Sequence, residues 1–217
     1  MSVNLAEIDE ALRRIRRGEM VLVVDDEDRE NEGDLTMAAS WVTAEAINFM
    51  LRWARGLVCM PCDQDRLDQL EIAPMVPPGQ AGCDTAFTVS IDHVTAGSGI
   101  GAADRAVTIR KVIDPGACAT DFSRPGHVFP LRARDGGVLE RRGHTEAAVD
   151  LARLAGLPPV AAICEVLCDD GSPARLPYLE RFAAEHLVAM VSVEQIVEHR
   201  LALDDTEQYG FRTPLLL

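Results

Sequence analysis

The chain has 217 residues and a formal net charge of −14, with 47% hydrophobic and 26% charged residues. This length and composition fit one globular domain, and the negative charge argues against a nucleic-acid backbone or an anionic membrane surface as a partner. Apolar runs of membrane-spanning length and the apolar core of a signal peptide are both missing from the sequence, so we expect a cytoplasmic protein.

The first predicted element is an amphipathic helix that ends near Gly18, because apolar residues recur at helical spacing at Leu5, Ile8, Leu12 and Ile15. Strands are predicted where short apolar or alternating runs lie between turn residues, at 20–24, 35–39, 57–60, 86–91, 160–164 and 187–191. Further helices are predicted at 44–51, beyond residue 105, and at 145–155, 181–186 and 192–203.

Residues 114–143 are rich in Gly, Pro and Arg and show little periodicity, which predicts an irregular segment that is either functional or disordered. The other strands and helices are mixed without regular βαβ alternation, and we find no repeat and no interdomain linker. The sequence therefore predicts an α+β fold or layered α/β sandwich with a mixed sheet. We expect a single domain over residues 1–205 and a C-terminal extension over 206–217.

An acidic loop, DDEDRENEGD at 25–34, lies between the first two predicted strands. Its carboxylates are the oxygen ligands that a hard divalent cation prefers, and an arginine fork suits a phosphate group. The candidate residues are Arg29, Glu30 and Asp34. The alternative is an ordinary solvated acidic turn.

A second group lies at the start of the helix predicted from residue 145. Free backbone N–H groups and the helix dipole make such a terminus an anion site, and arginines add charge-assisted hydrogen bonds. His144 could instead bind a metal or simply cap the helix. The residues that converge there are Arg141, Arg142, Gly143, His144 and Thr145.

Two further side chains could transfer protons. His127 is held between Pro-Gly and an apolar run in SRPGHVFP (123–130), and an imidazole is a candidate general acid or base at neutral pH. Glu165 directly follows the predicted strand 160–164, and a carboxylate at the end of a buried strand is often functional. The alternatives are a loop histidine bonded to backbone and an ion-paired residue at a sheet edge.

Together these groups resemble the 3,4-dihydroxy-2-butanone 4-phosphate synthase family of riboflavin biosynthesis. The resemblance covers about residues 10–200 and keeps the order of the family's motifs. The matching runs are DDEDRENEGD (25–34), AADRA (102–106), RPGHVFPLRA (124–133), GGVL (136–139) and GHTEAAVDLARLAGL (143–157), followed by Ile163-Cys164-Glu165.

The resemblance implies that ribulose 5-phosphate is converted to 3,4-dihydroxy-2-butanone 4-phosphate, the four-carbon unit of riboflavin, and formate. It also implies a compact α/β sandwich that works as a homodimer with active sites near the subunit interface. The implied ligands of a magnesium ion are Glu30 and His144, and manganese is the alternative because imidazole also suits it. The implied substrate contacts are Arg29, Glu30, Asp34, Arg141, Arg142, Gly143, His144, Thr145 and Glu165. The implied catalytic residues are His127, Glu165, Asp34 and Glu30.

The chain departs from the family pattern in two loops. Gly101 stands where a hydroxyl residue is usual, and Asp84 stands where a glycine usually precedes Thr85. We expect both loops to border the substrate, and a carboxylate near an anionic substrate is unfavourable unless it is paired or turned away. The alternatives are therefore a homologue acting on a different sugar phosphate, or a non-catalytic ligand-binding domain of a flavin-pathway assembly.

Overall fold

The computed structural model describes residues 5–77, 79–80, 82 and 84–204. The predicted C-terminal extension, residues 206–217, lies outside the described residues. Seven strands form one sheet in the order β4-β5-β3-β6-β2-β1-β7. In chain order, the strands are β1 (Val21–Val24), β2 (Gly33–Ala38), β3 (Cys59–Cys62), β4 (Ile91–His93), β5 (Phe122–Arg132), β6 (Ala161–Glu165) and β7 (Ala189–Ser192).

Helices cover both faces of this sheet. The buried side chains of β1 alternate between two hydrophobic clusters: Leu22 packs with α2, α4 and α6, and Val23 packs with α1, α5 and α7. None of the helices in the described ranges is both long and apolar enough to span a membrane. The helices are α1 (Ile8–Arg16), α2 (Ala44–Phe49), α3 (Gln64–Gln69), α4 (Ala102–Val112), α5 (His144–Leu154), α6 (Leu176–His186) and α7 (Val193–Asp204).

The strand pairing is mixed, which confirms the predicted fold class of an α+β, layered sandwich. β1 pairs antiparallel with β2 and parallel with β7, while β3 pairs parallel with β5. β2 and β6 are antiparallel neighbours, and their register places Asp34 opposite Glu165. The sheet therefore brings together two carboxylates that are far apart in the sequence.

The prediction of an irregular segment over 114–143 was wrong for β5, which runs for 11 residues within it. Pro125 and Gly126 hide the strand pattern, because proline and glycine are rare in strand interiors. Here they lie where the pairing of β5 with β4 shifts register beside Asp92. A Cβ atom on Gly126 would approach the backbone of Ile91 to 2.0 Å, so the close contact between these strands requires glycine.

One further prediction differs from the structure, and one short helix was missed. The alternation in residues 86–91 predicts a strand with an exposed polar side, but β4 begins only at Ile91, and the polar residues Thr88 and Ser90 are buried. Thr88 Oγ1 donates to the Pro130 carbonyl at 2.9 Å, which satisfies its hydroxyl inside the protein. The short helix α3, which lacks a clear apolar period, was not predicted.

Asp150 of α5 positions the segment that leads to the predicted anion site. Its buried carboxylate accepts from the Val138 backbone N–H at 2.9 Å and pairs with Arg200 Nη1 at 2.6 Å. Gly137 has φ +60°, and a Cβ atom there would lie 2.3 Å from Asp150 Oδ2. A glycine is therefore needed for the chain to pass over this ion pair.

We predict that His93 of β4 makes stability depend on pH. Its Nδ1 accepts from the Thr95 backbone N–H at 3.2 Å, and burial lowers the pKa of His93 from its ordinary value of 6.5. The unfolded chain therefore binds a proton on His93 more readily than the folded chain does. The contribution of neutral His93 to the free energy of unfolding is present above pH 6.5 and is lost as pH falls below it.

The test is urea unfolding of the wild type and His93→Asn between pH 7 and pH 5. Asparagine keeps an acceptor for Thr95 but does not titrate, so the stability advantage of the wild type should shrink towards pH 5. The difference in unfolding free energy between the two proteins should change by at most about 1.4 kcal/mol per pH unit, the limit for one proton. A pH-independent difference would rule out His93 as the titrating group.

Candidate active site

A cavity of about 260 Å³ opens where the acidic loop, β2, β6 and the start of α5 meet. It is lined partly by Glu32, Cys59 and Thr85, which the sequence analysis did not select. The predicted site residues that line it are Arg29, Glu30, Asp34, Arg141, His144, Thr145 and Glu165.

Asp25 organises the acidic loop that forms one wall of the cavity. Its buried carboxylate accepts from the backbone N–H groups of Glu30 at 3.1 Å and Glu32 at 2.8 Å. It also accepts from Arg29 Nη1 at 2.7 Å, and the same Nη1 donates to Glu30 at 2.8 Å. The loop is thus held by hydrogen bonds among its own charged and backbone groups and is not an extended solvated turn.

Asp25, Glu30 and His144 together could hold a metal ion, because one ligand atom from each lies within 4.8 Å of the others. His144 Nδ1 lies 3.7 Å from Glu30 Oε2. The other ring nitrogen, Nε2, is buried and has no hydrogen-bond partner among the described residues. An imidazole nitrogen beside carboxylate oxygens is a suitable donor set for magnesium or manganese, so these residues fit a divalent cation.

The charges of this cluster shift one another's pKa. The neighbouring ring of His144, whose Nδ1 lies 3.7 Å from Glu30 Oε2, is the main reason that the pKa of Glu30 is lowered to about 2. Burial disfavours the charged ring of His144, but the carboxylates of Asp34 and Glu30 outweigh it and raise the pKa of His144 to about 9. Without a cation the cluster therefore holds an imidazolium in contact with a carboxylate at neutral pH.

Asp34 and Glu165 line the cavity as cross-strand partners on β2 and β6. Burial raises the pKa of Asp34 to about 7, opposed by the charge of His144. Glu165 Oε2 accepts from the Leu57 backbone N–H at 2.9 Å, which fixes the direction of its carboxyl group. A carboxyl group that titrates near pH 7 can both take up and release protons under ordinary conditions.

The predicted anion site lies at the first turn of α5. Its N-cap is Gly143, which offers no side chain to the first N–H groups of the helix. Arg141 lies beside this turn with only 11% of its side chain exposed, and its Nη1 donates to the buried Glu146 at 2.7 Å. The guanidinium therefore has a fixed orientation at the edge of the cavity.

Three predicted residues, Arg142, Gly143 and His127, do not line the cavity of this chain. Arg142 extends outward and pairs with Glu194 on α7. His127 lies on β5, where its Nδ1 is 2.6 Å from Asp92 Oδ2 and its backbone N–H donates to Asp92 Oδ1 at 2.9 Å. These contacts with Asp92 orient the ring of His127. The ring is 42% exposed, so it is open to approach from outside.

Of the two loops that depart from the family pattern, one borders the cavity and the other does not. Thr85, next to Asp84, lines the cavity, as we expect of a loop that borders the substrate. Gly101 is the N-cap of α4 and does not line the cavity of its own chain. Its loop is held by Asp104, which accepts from the backbone N–H groups of Gly97 and Gly99.

Comparisons with known proteins identify the family to which the chain is similar. The family model described as 3,4-dihydroxy-2-butanone 4-phosphate synthase matches residues 9–199. The protein of that name from Agrobacterium fabrum is 52% identical over 198 residues, covering 91% of this chain and 93% of that protein. Riboflavin biosynthesis protein RibBA from Aquifex aeolicus is 54% identical over 197 residues, covering 89% of this chain and 48% of that protein. The chain thus spans about half the length of the RibBA relatives that it matches.

Solved structures share the fold. RibBX, a two-domain 3,4-dihydroxy-2-butanone 4-phosphate synthase from A. baumannii, is 45% identical with a TM-score of 0.87, over 90% of this chain and 58% of that chain. A 3,4-dihydroxy-2-butanone 4-phosphate synthase in complex with two magnesium ions is 39% identical with a TM-score of 0.87, over 94% of this chain and 99% of that chain. On sequence and fold together, this chain belongs to the 3,4-dihydroxy-2-butanone 4-phosphate synthase family.

Proposed function

We propose that the protein is a lyase that converts ribulose 5-phosphate to 3,4-dihydroxy-2-butanone 4-phosphate and formate for riboflavin biosynthesis. The observation that carries this proposal is one cavity that combines a cation-binding pair, Glu30 and His144, with paired carboxylates, Asp34 and Glu165, and a fixed arginine, Arg141. Membership of the family supports the same reaction, and a small phosphorylated substrate fits a cytoplasmic location.

The reaction enolises, dehydrates and rearranges the sugar before one carbon leaves as formate. Each stage moves protons between hydroxyl groups and carbon, so the site needs groups that exchange protons near neutral pH. We assign this role to Asp34, whose pKa is about 7, and to Glu165, which faces it across the strand pair.

Glu30 and His144 would hold the divalent ion, with Asp25 next to them. Magnesium is our choice, and manganese is the alternative because a histidine nitrogen suits it. When bound, the ion supplies positive charge that stabilises the negative charge developing on the sugar oxygens. The imidazole of His144, whose Nδ1 lies 3.7 Å from Glu30 Oε2, supports this assignment on chemical grounds.

The phosphate of the substrate would lie against Arg141, Arg29 and the first turn of α5. Thr145 lines the cavity at that turn, and Gly143 can offer only its backbone. Arg142 would reach a phosphate only after leaving Glu194, so we give it a secondary role.

His127 would act from a second copy of the chain in a homodimer. It does not line its own cavity, yet its ring is exposed and oriented by Asp92, as a proton-transferring group must be. In this arrangement each active site combines the cavity of one subunit with His127 of the other.

The shared site can be tested by subunit complementation. His127→Ala and Glu165→Gln, each inactive alone, would be co-expressed with different affinity tags and the mixed dimer purified. One of its two sites would then have every group intact, so about half of the wild-type activity is expected. A mixed dimer no more active than either parent would place both residues in one subunit's site.

The reaction itself is tested by incubating the purified protein with ribulose 5-phosphate, with and without magnesium, and measuring formate. Magnesium-dependent formate is the expected result, and EDTA should remove it. Folded, metal-loaded protein that yields no formate would favour a different sugar phosphate or a non-catalytic role.

A further inference from the structure

The guanidinium of Arg141 is already occupied on its outer side. Its Nε donates to Asp84 Oδ2 at 2.5 Å, and its Nη2 lies 3.4 Å from Thr85 Oγ1. On the inner side, Nη1 donates to Glu146, whose side chain is only 2% exposed. All three nitrogens of Arg141 therefore have partners within the chain.

The two carboxylate partners of Arg141 differ in how easily a ligand could displace them from the guanidinium. Glu146 is buried and also accepts from the Arg134 backbone N–H at 3.0 Å, so it holds Arg141 from inside the fold. Asp84 is 71% exposed, and its second oxygen lies 3.9 Å from Arg134 Nη2. Because Asp84 is exposed, its carboxylate can leave Arg141 for solvent at less cost than the buried carboxylate of Glu146.

A phosphate group binds arginine best through two parallel N–H···O bonds. The edge formed by Nη1 is used by Glu146, which leaves the edge formed by Nε and Nη2 for a ligand. That edge carries Asp84, which does not itself line the cavity but lies between Arg141 and solvent next to Thr85, and both Arg141 and Thr85 do line it. A carboxylate of the chain thus stands where a phosphate would make its bidentate contact.

We propose that Asp84 is a specificity-determining residue that occupies the anion-binding edge of Arg141 and must be displaced by the phosphate of the substrate. This inference rests on the proposed function for the identity of the substrate, but the contact itself applies to any phosphate ligand. Asp84 lowers the affinity of the site for phosphorylated compounds, because every such ligand must first break the ion pair. Its release also frees Arg134 Nη2 from the second oxygen of Asp84, which lies 3.9 Å away.

The test uses inorganic phosphate as the probe and isothermal titration calorimetry as the measurement. Asp84→Asn and Asp84→Gly should bind phosphate about two- to fivefold more tightly than the wild type, as expected for loss of an ion pair whose carboxylate is exposed. Asp65→Asn is the matched control, since it removes the same charge from an exposed position on α3 away from the cavity and should leave phosphate binding unchanged. The proposal is overturned if the Asp84 variants bind phosphate no better than the control, including the case in which no binding is measured.

Kinetics with ribulose 5-phosphate separate this inference from the proposed function. If both hold, Asp84→Asn should lower KM by a similar factor and change kcat much less. If no variant produces formate but the Asp84 variants still bind phosphate more tightly, the inference stands and the proposed reaction fails. A fall in kcat with no gain in phosphate binding would instead make Asp84 a structural support of the loop and overturn the inference.

Discussion

Replacing Glu30 with alanine is expected to abolish magnesium-dependent formate formation while leaving the fold intact. Glu30 and His144 are the two proposed cation ligands that line the cavity, and the side chain of Glu30 is half exposed. Loss of this carboxylate removes an electrostatic contact to the ion, and we expect the rate to fall by at least about 10²- to 10³-fold. Formate release and magnesium affinity by calorimetry are the measurements, with circular dichroism to verify folding.

Glu27→Ala provides the matched control for this variant, since it removes the same charge from an exposed position in the same loop. It should keep the activity and the magnesium affinity of the wild type. A Glu30→Ala protein that retained full activity would show that the metal assignment is wrong. Equal losses in both variants would point to the general negative charge of the loop and not to a ligand.

Much of the fold could be predicted because its elements carry local patterns. Apolar spacing marked α1 and α5, and the reciprocal hydrogen bonds between Ser192 and Gln195 confirm the predicted capping box of α7. β5 could not be predicted, because its pairing with β4 depends on the close approach of Gly126 to Ile91, which no local pattern encodes. Sequence spacing predicts periodic elements well and long-range strand contacts poorly.

For the same reason, only the part of the candidate site that lies close together in the sequence could be predicted. Arg29, Glu30 and Asp34 lie in one loop, so their proximity follows from the sequence alone. Asp25 was not selected because its role as the loop's hydrogen-bond acceptor appears only when the loop folds back on it. Thr85 reaches the cavity from a segment without periodicity, and only tertiary structure places it beside Arg141.

The pairing of Asp34 with Glu165 shows how the sheet adds chemistry that neither motif has alone. A carboxylate after a buried strand is an ambiguous signal in the sequence, since it is often only an ion-paired edge residue. The antiparallel register places it opposite Asp34, where burial has already raised the pKa of that neighbour to about 7. Two carboxyl groups at one site can then divide the tasks of acid and base.

Replacing Glu165 with glutamine is therefore expected to stop the reaction at proton transfer without disturbing the site. Glutamine has nearly the same shape, and its side-chain oxygen can still accept from the Leu57 N–H as Glu165 does at 2.9 Å. It cannot take up a proton, so kcat should fall by about 10²- to 10⁴-fold, the usual contribution of a general acid or base. Magnesium affinity should stay unchanged, because Glu165 is not part of the cluster of Asp25, Glu30 and His144.

Glu185→Gln makes the same chemical change at an exposed position on α6 and should behave as the wild type. Formate release under saturating ribulose 5-phosphate gives kcat, and calorimetry gives the magnesium affinity. Near-normal kcat in Glu165→Gln would exclude this residue as an acid or base, leaving Asp34 to transfer the protons. Loss of magnesium affinity together with kcat would instead make Glu165 part of the cation site, because a carboxylate that only moves protons has no reason to change how tightly the ion binds.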